Sequence, residues 1–105
     1  MAELRARLGD RELERVGDEQ RAILAHCRKT GTWILSDEVY ERLFYADGGV
    51  APSFLDVADA SDRVVVAQSF SKSFLMTGWR LGWLVMPDGM SEHMGKLIEF
   101  ASSCS

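Results

Sequence analysis

The chain has 105 residues, with 16 acidic against 12 basic for a formal net charge of −4, 47% apolar and 27% charged. That length suits one small domain, and the composition argues against disorder. The negative balance disfavours nucleic acid or an anionic membrane as the main partner. No apolar run is long enough to span a bilayer, and MAELRARLGD lacks the apolar core of a secretory signal.

Residues 1–17 alternate charge densely around Leu4, Leu8 and Leu13. They suit a solvated helix with a thin apolar stripe broken at Gly9-Asp10, or a frayed tail, and carry no motif. From Asp18 the pattern sharpens. Asp18 reads as an N-cap and Gly31 as a C-terminal stop, so a helix is predicted over about 19–29 with Ala22, Ile23, Leu24, Ala25 and Cys27 apolar. His26 has no second ligand at metal spacing and reads as a surface residue. Cys27 reads as a small core residue. With Cys104 it fits no metal site, and both are expected as free thiols of a cytoplasmic protein.

Thr32, Trp33, Ile34 and Leu35 read as a short buried strand ending at Ser36-Asp37-Glu38. Residues 39–45 read as a short helix or irregular turn, with Glu38 and Arg42 spaced for a helix-surface ion pair. Asp47-Gly48-Gly49 and Pro52 mark a loop, and 54–60 a short helical segment.

The chain is organised around residues 64–86, VVVAQSFSKSFLMTGWRLGWLVM. The opening VVVA run suits a strand buried on both faces, as in parallel sheets. A polar turn follows, QSFSKS, then TGWR, then a second apolar run from Leu81 to Met86. The turn after Met86 leads to a helix over 90–100 with Met94, Leu97 and Ile98 inward. Trp33, Trp79 and Trp83 read as core or loop anchors. Helix, strand, crossover and strand give an α/β class. Asp37 and the Lys72 loop both follow strand ends, where α/β sheets bind ligands.

Asp37, Tyr40, Ser69, Ser71, Lys72 and Arg80 form one constellation. A lysine amine that is desolvated or close to another cation is depressed in pKa and can form a Schiff base with an aldehyde. Arg80 is such a cation, and a guanidinium with neighbouring hydroxyls also clamps phosphate. An aspartate can hold a pyridine nitrogen protonated, and a tyrosine can donate to a phenolate oxygen. Aldehyde, phosphate, pyridine and phenolate together describe pyridoxal 5′-phosphate.

In order and spacing, DEVY at 37–40, SFSK at 69–72 and MTGWRLGW at 76–83 resemble the class I/II aminotransferases of the aspartate aminotransferase fold, PLP fold type I. The resemblance covers residues 18–105 and leaves 1–17 unmatched. It implies part of a three-layer α/β/α large domain, about three strands with flanking helices, the last strand antiparallel to its neighbour. It also implies an amino-group transfer between an amino acid and a 2-oxo acid through a Schiff base on Lys72. By resemblance Asp37 partners the pyridinium, Tyr40 contacts the ring oxygen, Ser69 and Arg80 bind phosphate and Ser71 supports them. Full-length relatives are expected to be homodimers. The family is several times longer and carries an upstream phosphate turn, a ring-stacking aromatic and a substrate arginine that do not occur here. The chain therefore reads as a central fragment, with weak cofactor affinity and no useful turnover alone. Other fold-type-I enzymes such as lyases, and non-catalytic modules or remnants, share these motifs and stay open.

Overall fold

The computed structural model describes residues 2–43 and 50–101. Helix α1 spans Ala2–Thr30 and strand β1 spans Ile34–Asp37. A 3₁₀ turn at Phe54–Asp56 precedes strand β2, Val64–Ser69. Helix α2, Phe70–Ser73, is a single turn, and a second 3₁₀ turn at Thr77–Trp79 leads to strand β3, Gly82–Val85. Helix α3 closes the described chain at Ser91–Ala101.

The expected break at Gly9-Asp10 and the Asp18 N-cap are both overturned, because α1 runs through each of them. Asp18 instead accepts from Arg21 at 2.8 Å, one turn on, and Arg15 bonds Glu19 at 2.9 Å. Good helix formers and such pairs outweigh the roughly 1 kcal/mol that an interior glycine costs. Gly31 does end the helix. Its φ is +71°, and the Thr32 N–H reaches back to the Cys27 carbonyl at 3.1 Å, closing a Schellman turn that only glycine enters without strain. His26 is exposed, and Cys27 is a half-buried free thiol packed against the core.

The sheet order is β1-β2-β3. β1 runs parallel to β2, with Ile34 opposite Val64 and Asp37 opposite Ala67. β3 runs antiparallel to β2, with Val66 opposite Val85 and Ser69 opposite Gly82. Side chains alternate across a strand, so Ile34, Val64, Val66 and Gln68 share one face, and Leu35, Asp37, Ala67 and Ser69 the other. The first face is packed: Leu24 of α1 meets Ile34, Val64 and Val66, flanked by Cys27, Phe54, Val57 and Ala58. On the second face Leu35 remains 74% exposed. The strand that reads as buried on both faces is therefore fully covered on one only.

Arg28 locks α1 to the segment before β2. Its guanidinium donates to both oxygens of buried Asp62, at 2.7 and 2.6 Å, and to Asp59 at 3.1 Å. The expected inward stripe of α3 is not realised: Met94 is half-buried, but Leu97 and Ile98 are exposed, because nothing among the described residues packs on them. Trp33 and Trp79 are likewise exposed rather than core. Trp83 is the partial exception, its ring 4.9 Å from that of Phe70. Phe44, Tyr45, the Asp47-Gly48-Gly49 turn and Cys104 lie outside the described residues.

Candidate functional site

The parallel pairing of β1 and β2 brings two sequence-distant strand ends together. Asp37 is the last residue of β1 and pairs with Ala67; Ser69, two positions along β2, faces the same side. The Glu38 N–H extends the ladder by donating to the Ala67 carbonyl at 3.0 Å. Asp37 is exposed at that edge, and among the described residues its carboxylate takes only the Val39 N–H, at 3.4 Å, in the turn that follows.

Ser69 caps α2. Its hydroxyl accepts from the Ser71 N–H at 3.0 Å and donates to the Leu81 carbonyl at 3.3 Å. That cap turns the chain off the sheet and puts Lys72 on the single turn of α2, where it is exposed. Its ammonium lies 5.9 Å from the centre of the Tyr40 ring, within range of a cation–π contact. Two residues of the constellation from different segments thus meet directly.

Among the described residues Arg80 forms no hydrogen bond or ion pair with the other members of the constellation. It is exposed, and its guanidinium donates to the Thr77 carbonyl at 3.1 Å. Its backbone is left-handed at φ 52°, as is Leu75 at φ 55°. Non-glycine residues in that region carry strain, and here two fall within the stretch joining α2 to β3. Among the described residues neither Lys72 nor Arg80 forms an ion pair with a carboxylate.

A layer of supporting contacts was not legible in the sequence. The Glu38 carboxylate accepts from Ser36 at 2.9 Å, Ser53 at 2.6 Å and the Phe54 N–H at 3.0 Å. It does not pair with Arg42, which contacts Glu41 instead at 3.5 Å, because residues 38–42 form turns rather than a helix. Gln68 donates to Glu41 at 2.9 Å, and Gln20 of α1 donates to the Pro52 carbonyl at 3.1 Å. A shallow cavity of about 370 Å³ opens here, lined by Asp37, Tyr40, Glu41 and Gln20 among others. One signal was available: Gln68 continues the valine alternation of a buried face, and a buried amide needs a partner. Among the described residues no cluster of His, Cys, Asp and Glu suits a metal ion, and no helix is long and apolar enough to cross a membrane.

A family model described as aminotransferase class I and II matches residues 17–105. An aspartate aminotransferase of Thermotoga maritima is 40% identical over 78 residues, which cover 74% of this chain and 20% of the relative. An arginine–pyruvate transaminase of Pseudomonas aeruginosa is 38% identical over 76 residues, covering 72% of this chain and 19% of its own. Among solved structures, the crystal structure of an aspartate aminotransferase from T. maritima superposes with a TM-score of 0.73 at 36% identity, covering 81% of this chain and 22% of that one. An aromatic aminotransferase from Pyrococcus horikoshii gives a TM-score of 0.73 at 31% identity, covering 84% and 23%. The chain spans about a fifth of the length of the curated relatives it matches.

Proposed function

The chain belongs to the class I and II aminotransferases, and from that premise we propose that residues 18–105 form the cofactor-anchoring part of a pyridoxal 5′-phosphate-dependent aminotransferase. The whole protein, in this reading, moves an amino group between an amino acid and a 2-oxo acid, in the cytoplasm and in amino acid metabolism, as one half of a homodimer. Residues 1–17 stand outside that domain.

The observation that carries the proposal is the meeting of Lys72 with Tyr40, 5.9 Å from amine to ring centre, at the ends of two parallel strands. The donor set also fits the cofactor. An amine and a guanidinium, both without a carboxylate partner among the described residues, suit an aldehyde and a phosphate. A carboxylate exposed at the end of the neighbouring strand suits a protonated ring nitrogen. When bound, pyridoxal phosphate supplies an electrophilic carbon and an electron-withdrawing ring. Lys72 Nζ is the nucleophile toward an aldehyde and the atom that holds and hands on a proton. Asp37 would stabilise positive charge at the ring nitrogen, and the Tyr40 hydroxyl would donate to the ring oxygen. Ser69 and Arg80 would hold the phosphate with Ser71 in support, Arg80 by exchanging its Thr77 carbonyl bond for a charged acceptor.

The test is covalent trapping. The chain is incubated with pyridoxal phosphate, reduced with borohydride and mapped by mass spectrometry. Lys72 is expected to carry the adduct at least about tenfold above Lys29 and Lys96. Arg80→Ala is expected to weaken labelling by about 10–100-fold, as for loss of a charged hydrogen bond. Even labelling of the three lysines would overturn the proposal.

A further inference from the structure

We propose that Gln68 and Glu41 are positioning residues whose mutual hydrogen bond sets the Tyr40 ring against the Lys72 amine; the catalytic meaning of that placement rests on the function proposed above. Gln68 lies on β2, four residues before Lys72, on the covered face with Val64 and Val66, and is 9% exposed. An amide there costs stability unless it is bonded, so valine would be the ordinary occupant. Its Nε2 donates to Glu41 Oε2 at 2.9 Å, a bond spanning 27 residues of sequence.

Glu41 is the neighbour of Tyr40 and the junction of the turn. Its N–H donates to the Glu38 carbonyl at 3.1 Å, and its carbonyl accepts from Ala51 at 2.8 Å. Glu38 in turn is held by Ser36, Ser53 and Phe54. The turn bearing Tyr40 is thereby pinned at both ends. Tyr40 itself is 58% exposed, with no side-chain hydrogen bond among the described residues. The backbone of residues 38–41 fixes its Cβ and thereby the space its ring can reach beside Lys72. The Glu38 carboxylate ties that backbone to the 53–54 segment and the Glu38 N–H ties its start to Ala67 of β2, while Gln68–Glu41 ties its far end to the same strand, the one that delivers Lys72. This is a direct side-chain link between the two halves of the Tyr40–Lys72 contact. Arg42 engages the other carboxylate oxygen, Oε1, and leaves Oε2 to Gln68.

The experiment reads the placement by NMR on the full chain without any cofactor. An aromatic face near an amine shifts the Lys72 ε-methylene protons upfield, and Tyr40→Leu defines the unshifted position. Gln68→Leu and Glu41→Ala are each expected to remove at least half of that shift. Glu41→Gln, which keeps an acceptor oxygen, is expected to retain it; a bond that only added stability would move melting temperature and leave the shift alone. An unchanged shift in either folded variant, or no Tyr40-dependent shift in the parent, overturns the proposal. If both variants fail to fold, hydrogen exchange of the Gln68 side-chain amide in the parent decides: slow exchange supports the bond, and exchange at the free-amide rate overturns it. In parallel, Gln68→Leu is expected to lower pyridoxal phosphate labelling of Lys72 about tenfold without altering that of Lys96. If the shifts behave as expected but the parent labels its lysines evenly, the positioning stands and the proposed function falls.

Discussion

Asp62 is a buried carboxylate kept ionised by one guanidinium. The Arg28 hydrogen bonds and, next, the Asp59 N–H at 2.8 Å hold its pKa down to about 2 from 3.8, against the opposing effect of burial. A carboxylate depressed in the folded state contributes stability that is fully present above its unfolded pKa, and loses it as pH falls through the folded value. The melting temperature of the chain is therefore expected to drop between about pH 4 and about pH 2. In Asp62→Asn the same interval should be flatter, from a lower plateau; parallel curves in circular dichroism melts would remove Asp62 as the cause. At this scale the sequence was legible where chemistry is local and opaque where it is not. Asp37, Tyr40, Ser69, Ser71, Lys72 and Arg80 stand out by residue type and spacing. Arg28 and Asp62 are 34 residues apart, and Gln68 and Glu41 are 27 apart. No periodicity announces such pairs. The exposure of Lys72 is equally hidden from the sequence, because what covers an amine is set by distant segments.

The elements divide in the same way. β1, β2, β3 and α3 fall close to the apolar runs and turn signals that announce them, because hydrophobic alternation and a flanking glycine or proline are local. The start of α1 was misread because glycine and a good capping residue only permit an end; charged side chains one turn apart carried the helix through. Gly82 marks an element boundary with a second purpose. A Cβ built there would stand 2.5 Å from the Gln68 carbonyl, a backbone atom that cannot swing away. The position lies opposite Ser69, so β3 can approach the cap of α2 only with no side chain between them. Gly82→Ala is expected to push β3 off β2 and destabilise the chain by about 1–3 kcal/mol. Urea unfolding measures the loss, and backbone amide shifts at Ser69 and Phe70 locate it. A variant as stable as the parent would mean that β3 pairs with β2 less closely than this.

The whole molecule is a slab of 53 × 39 × 15 Å. Its thinnest dimension leaves room for about one sheet and one helix layer, since packed layers sit about 10 Å apart. Among the described residues only Leu24, Ile34, Val64 and Val66 form the buried apolar core, whereas Leu35, Leu75, Trp79 and Phe100 are each more than 60% exposed. Among the described residues both outer strands of the three-stranded sheet offer an unpaired backbone edge, and β1 combines its edge with Leu35 on the open face. Exposed edges with apolar side chains recruit further chains unless charge blocks them. Concentration-dependent self-association through β1 is therefore expected in sedimentation velocity. Covering one leucine side chain is worth about 1.5–3 kcal/mol, so Leu35→Lys should weaken association by roughly 10–100-fold. Leu75→Lys, equally apolar but on the α2–β3 connection and away from any strand edge, should leave association unchanged. If both variants weaken it alike, general apolar exposure drives the contact; if neither does, the edge of β1 plays no part in it.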